Sequence, residues 1–188
     1  MNGGYLNLHV TKSCPTSRID SKVFYQNAYV ETRFKIGGQG PDFSGLVYAF
    51  YTDGIVKPNN NHADEIDVEI VGYGNPGRGW KDKTVQLGFW EPGYELYQHL
   101  TNYGPLKLEE FNTYAIQWNY DTVDFFINGV KAFSSSQFDT SIGYVQPQKV
   151  IYSLWDGTPY PDFSAPMNWN SPRAGDFNMV VDYVKICT

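Results

Sequence analysis

Cysteine and positive charge are scarce in this chain, and long apolar runs are missing. The two cysteines, Cys14 and Cys187, lie near opposite ends. They are an even pair that a single disulfide would satisfy, but bond geometry cannot be read from sequence, so bonded and free thiols both stay open. Lys and Arg number 14 against 20 Asp and Glu, for a formal net charge of −6 and a pI near 4.9. That sign argues against nucleic acid or an anionic membrane as partner and is compatible with a neutral polymer. No apolar run is long enough to span a bilayer. No signal-peptide pattern opens the chain, so a mature or trimmed polypeptide is expected. No stretch combines helical periodicity with caps, and neither an internal repeat nor a linker is found. The G-x-S-x-G, P-loop and dinucleotide fingerprints are missing too. His9, His62 and His99 lack metal-ligand spacing, so no zinc site is expected. His62, three residues before the acidic run described below, reads as a surface residue.

What the chain has is aromatic side chains and alternation. It holds 15 Tyr, 12 Phe and 5 Trp in 188 residues. Most of these rings fill strands; a few suit a surface that stacks on flat apolar faces. Leu6, Leu8 and Val10 alternate with polar residues. Tyr29 to Ile36 alternates with Val30, Thr32, Phe34 and Ile36 on one face, leaving Glu31, Arg33 and Lys35 on a solvated one. Strands are predicted at 44–51, 84–90, 114–119, 150–155 and 178–186, with a polar loop from Thr52 to Ala63 and another from Tyr73 to Gly79. Asn128-Gly129 between 123–127 and 130–133 predicts a type I′ hairpin. Many short strands with Gly/Pro turns in a chain of this length predict one all-β sandwich or jelly-roll domain.

The most informative run is Asp64-Glu65-Ile66-Asp67-Val68-Glu69-Ile70-Val71-Gly72. In a strand, side chains alternate between faces. Glu65, Asp67 and Glu69 then share one face, and Ile66, Val68 and Ile70 the other. Consecutive acids lie about 6–7 Å apart along the strand and repel, with no Lys or Arg inside the run. An acidic solvent face would carry such a pattern. So would glycoside hydrolysis, which needs one carboxylate as nucleophile and one carboxylic acid as proton donor. A protonated Asp67 between them would donate a hydrogen bond to Glu65, whereas a charged one would raise its neighbours' proton affinity.

Glu65-Ile66-Asp67-Val68-Glu69 resembles the active-site signature of glycoside hydrolase family 16, E-[hydrophobic]-D-[hydrophobic]-E. Ile70-Val71-Gly72 matches its continuation. Without an extra residue before the last Glu, it is similar to the branch of lichenases, xyloglucan transglycosylases and chitin–glucan transglycosylases. Thr16 to Lys22 resembles the family's S-x-R-[IL]-x-S-K stretch. Glu31, Arg33 and Lys35 match its Y-x-E-x-R-x-K strand, and the 123–129 hairpin resembles another of its segments. The resemblance covers nearly the whole chain and is most specific at the acidic strand. It implies an all-β, curved antiparallel jelly-roll sandwich with a concave substrate cleft, a single catalytic domain over 1–188. The usual N-terminal segment before Gly3-Gly4-Tyr5-Leu6 is expected to be lacking.

By resemblance, Glu65 is the nucleophile, Glu69 the acid/base and Asp67 their orienting neighbour. Ser153-Leu154-Trp155-Asp156-Gly157 resembles a segment whose Trp stacks on sugar, which makes Trp155 and Asp156 candidate substrate contacts. Trp90 stands where the family places an aromatic, and Gly88 where lichenases have an Asn. Arg18 matches an Arg that contacts substrate; an ion pair with no such role is the other reading. For Trp155 and Trp90 the other reading is a core or rim aromatic. Asp182 matches an Asp that binds a structural Ca²⁺ in relatives, while no cofactor is expected for catalysis. The implied protein is a secreted, monomeric retaining endo-β-glucanase acting on β-1,3-1,4-glucan or a related polysaccharide, with no nucleic-acid or membrane partner. A transglycosylase on the same scaffold and a non-catalytic lectin are the alternatives.

Overall fold

A computed structural model describes residues 4–54, 64–73, 84–91, 94–101, 106–119, 122–136, 147–161 and 164–188. Twelve strands form two six-stranded antiparallel sheets, ordered β1-β12-β3-β8-β9-β10 and β2-β11-β4-β5-β6-β7. In the first are β1 (Leu6–His9), β3 (Ala28–Ile36), β8 (Asn112–Trp118), β9 (Val123–Ile127), β10 (Val130–Ser135) and β12 (Asn178–Cys187). In the second are β2 (Thr16–Asp20), β4 (Leu46–Gly54), β5 (Glu65–Val71), β6 (Thr84–Glu91), β7 (Tyr94–Thr101) and β11 (Gln148–Asp156). The described residues contain no α-helix, only two 3₁₀ turns at Pro41–Phe43 and Ala174–Asp176. This is the all-β jelly-roll sandwich expected.

The alternation built the core. On β3, Val30, Thr32, Phe34 and Ile36 are buried as predicted. Phe34 stacks on Tyr114 at 4.3 Å between centroids and Phe50 on Tyr152 at 5.4 Å. From the second sheet, Ile66, Val68 and Ile70 pack inward with Phe50, Leu87 and Phe89. Each such side chain contributes about 1.5–3 kcal/mol when fully buried. Trp118, Tyr48, Tyr114 and Phe34 are the largest of the fully buried side chains among the described residues. The opposite face of that sheet is left for the acids.

Two readings change. Thr52 to Gly54 was expected in a loop but belongs to β4. Thr52 is buried, hydrogen-bonded through Oγ1 to Gln148 Oε1 at 3.0 Å, so its polarity is satisfied across the sheet rather than by water. Strands β2 and β7 were not predicted, because their sequences alternate weakly. The hairpin is as expected: Asn128 and Gly129 have φ of 49° and 78°, the two positive values a type I′ turn needs. Cys14 and Cys187 are both exposed free thiols.

Candidate active site

Register across the second sheet builds the site from three rows. On β5, Glu65 faces Asp53 of β4 and Trp90 of β6; Asp67 faces Tyr51 and Gly88; Glu69 faces Ala49 and Gln86. Directly paired residues point to the same face. The rows continue onto β11 and β2. Lys149 pairs with Asp53, Ser153 with Ala49 and Arg18, and Trp155 with Val47 and Thr16. The three acids therefore share one face, as the alternation predicted. Val47 and Val71 lie at the Gly72 end of that face and are fully covered. A Cβ on Gly157 would lie 2.9 Å from Val47 and 2.7 Å from Ser164, so Gly157 packs tightly against that end.

The acids are unequal. Asp67 is 1% exposed, while Glu65 and Glu69 are half-buried and keep part of their surface open to the cleft. Opposite Asp67, Gly88 has no side chain. Burial raises the proton affinity of Glu65; a hydrogen bond from Asp67 lowers it, Asp53's charge raises it and Arg18 lowers it. A bond between two carboxyl groups requires one shared proton between them. Glu69 is pushed up to about 8, first by burial and then by the charge of Glu65, against a hydrogen bond from Gln86 Nε2 to its Oε2 at 3.0 Å. Glu65 is supported as an anion by a donor and a cation. Glu69 meets Glu65's charge instead. Of the two, Glu65 ionises first and Glu69 keeps its proton.

Trp155 is half-buried on the same face, its ring edge-on to Tyr160 at 5.5 Å. Arg18 stands on that face, but its guanidinium closes a bidentate ion pair with Asp20 at 2.7 and 2.9 Å and lies 5.7 Å from the Tyr51 ring. Asp156 does not join the site. It is paired with Leu46, on the opposite face from Trp155, and its Oδ1 accepts the Thr158 N–H at 2.8 Å, capping a turn. Trp90 is opposite Glu65 in the ladder; its side chain and all of His62 fall outside the described residues. Asp53, Tyr51 and Gln86 were missed. Continuing the 44–51 alternation two residues further would have put Tyr51 and Asp53 on the face of the acids.

Asp182 lies in the other sheet and forms an ion pair with Arg33. Calcium takes six to eight oxygens. The Asp182 carboxylate is engaged by a guanidinium, and the described residues hold no cluster of three or more His, Cys, Asp or Glu around it.

Residues 1–185 match the family Glycosyl hydrolases family 16. The chain is 27% identical over 165 residues to a β-glucanase of Acetivibrio thermocellus, covering 87% of this chain and 44% of that protein. It thus spans less than half the length of that relative. Among solved structures, endo-β-1,3-glucanase from Pyrococcus furiosus superposes with a TM-score of 0.70 at 23% identity, covering 98% of this chain and 74% of that one. A prokaryotic β-1,3-1,4-glucanase (lichenase) derived from a mouse hindgut metagenome gives 0.69 at 19%, covering 97% and 79%. At such identities these likenesses speak for the fold alone, two packed antiparallel sheets. With the family match running through both sheets and the acidic strand, the chain belongs to glycosyl hydrolases family 16.

Proposed function

We propose that this domain is a retaining endo-β-glucanase acting on β-1,3-1,4-glucan or a related β-glucan. The observation that carries it is Glu65 and Glu69 on one strand face with buried Asp67 between them, Glu69 being held toward its protonated form by burial and by the charge of Glu65. In the first step Glu65 attacks the anomeric carbon and forms a glycosyl-enzyme ester, while Glu69 gives its proton to the departing oxygen. Glu69, now an anion, then takes a proton from water, which attacks the same carbon and releases Glu65. The stereochemistry is inverted twice and so retained. Asp67 fixes the rotamer of Glu65 and spreads its charge through the hydrogen bond. Only carboxyl groups and water take part. Trp155, with Tyr160 beside it, offers a ring for stacking on a sugar of the bound chain. A polymeric substrate of this size does not cross membranes, which supports an extracellular setting.

Relatives cleaving β-1,3 and β-1,3-1,4 linkages share the scaffold, so the linkage is a matter for assay. Product analysis on lichenan, laminarin, xyloglucan and chitin oligosaccharides is expected to show endo-cleavage of a β-glucan, with the β-anomer as first product by ¹H NMR. Initial release of the α-anomer would exclude double displacement, and dominant transfer to added oligosaccharides would make the domain a transglycosylase. Glu69→Ala is expected to lose about 10²–10⁴-fold on glucan, whose leaving group needs a proton. It should spare the glycosylation step on an aryl glycoside with a good leaving group. Equal losses on both substrates would remove Glu69 from the acid role.

A further inference from the structure

β4 brings a fourth acid to the cleft. Asp53 is directly opposite Glu65 in the β4–β5 register. Such pairs bring Cβ atoms to about 4.5–5.5 Å, and like charges placed there destabilise a sheet. Asp53 is half-buried, so its carboxylate is only partly screened by water. The strand cannot slip to relieve the repulsion. On one side of Asp53, buried Thr52 is tied to Gln148. On the other, the Gly54 N–H donates to the Asp64 carbonyl at 2.8 Å. The cations nearby are engaged elsewhere. Arg18 is closed on Asp20, and the Lys149 ammonium is drawn over the Phe24 ring at 5.0 Å.

We propose that Asp53 is a positioning residue for the displacement chemistry: standing opposite the nucleophile, it sets the acidic limit of the reaction. This rests on the assignment of Glu65 as nucleophile. Facing Glu65 are Asp67 and Glu69 on its own strand, Asp53 and Tyr51 on β4 and Arg18 on β2. Facing Asp53 are Arg18 and Asp20 from β2, Lys149 from β11, and Asp64 and Glu65 beside it. Burial is the first cause of the raised proton affinity of Glu65; among the charges facing it, Asp53 adds to that effect, opposing Asp67 and Arg18. A protonated Glu65 cannot attack. Asp53 thereby moves the onset of activity to higher pH and narrows the gap to Glu69.

The test compares the full chain with Asp53→Asn and Asp53→Glu. Two readouts are used, the pH profile of kcat/KM on β-glucan and the ¹³C-NMR titration of Glu65, assigned through Glu65→Gln. Asp53→Asn is expected to shift the acidic limb down by about 0.5–1 pH unit and leave the alkaline limb in place. Asp53→Glu should keep the acidic limb near its original position. Should Asp53→Asn fail to fold, Asp53→Ser gives the same comparison. An unmoved acidic limb, or a uniform loss at every pH, would overturn the proposal. If the parent chain turns over no β-glucan, it is the functional assignment that fails. The Glu65 titration still judges Asp53, and an unchanged midpoint in Asp53→Asn would count against it.

Discussion

Glu65 and Glu69 are the same residue type on the same strand face, yet their surroundings differ. Glu65 receives a hydrogen bond from Asp67 and the field of Arg18; Glu69 receives one bond from Gln86 and the field of Glu65. Paired groups whose environments push their proton affinities apart are how a single site holds an acid and a base at one pH. Glu65→Gln preserves shape and the bond to Asp67 but leaves an amide that cannot attack. Turnover is expected to fall by at least about 10⁴-fold with a melting temperature no lower than the parent's. Azide or formate should partly restore cleavage of an activated glycoside by occupying the vacated volume. Near-parental activity in this variant would sink the nucleophile assignment.

At the scale of elements, the site is a property of neighbouring strands. β5 supplies three acids, β4 supplies Asp53 and Tyr51, and β6 supplies Gln86. A one-residue slip of any of these strands would turn its cleft residues into the core. The hairpin between β9 and β10 carries the opposite kind of information, being local and at the far edge of the other sheet. Gly129 has a φ of 78° and open space where a Cβ would go. Gly129→Ala thus tests backbone strain without a clash, and is expected to cost about 1–2 kcal/mol. That is a fall of about 2–8 °C in a chain of this size. Asn128→Gly, which relieves the neighbouring positive φ, should not lower stability by as much. Scanning calorimetry of both variants decides it, and kcat/KM should be unchanged in each.

At the scale of the whole molecule, the cleft acids impose a pH signature on folding. Glu69 lies well above its ordinary value of 4.5, at about 8, and Glu65 and Asp53 are raised too. The folded state therefore holds protons that the unfolded chain has released. Stability from these groups is complete below about pH 4.5 and is lost as pH rises toward 8. Asp20, Glu31 and Asp124 are lowered by their hydrogen-bonding partners, so their contribution runs the other way and fades under acid. These three are solvent-accessible, and screening keeps their share small. The melting temperature is expected to decline between about pH 5 and 8, and Glu69→Gln should remove much of that decline. A parent and a Glu69→Gln variant with parallel pH–stability curves would show that Glu69 is not held protonated by the fold.

Much of this was legible in the chain because it is local. Alternation from Glu65 to Ile70 placed three acids on one face and three β-branched residues in the core. Asn128-Gly129 specified its turn, and the near absence of cysteine and helical periodicity left an all-β domain. Other features depended on partners distant in sequence. Which acid ionises first depends on Gln86, Arg18 and Asp53, brought beside β5 by pairings that no local pattern encodes. Asp53 was hidden because Thr52 looks like a loop residue until Gln148 satisfies it across the sheet. Asp156, next to Trp155 in sequence, faces away from it because a strand reverses direction at each residue. Asp182 meets Arg33, 149 positions away in the chain. Side-chain direction along a strand follows from a period of two, which sequence carries. Proton affinity follows from which charges stand a few ångströms off, and only the order and register of the strands decide that.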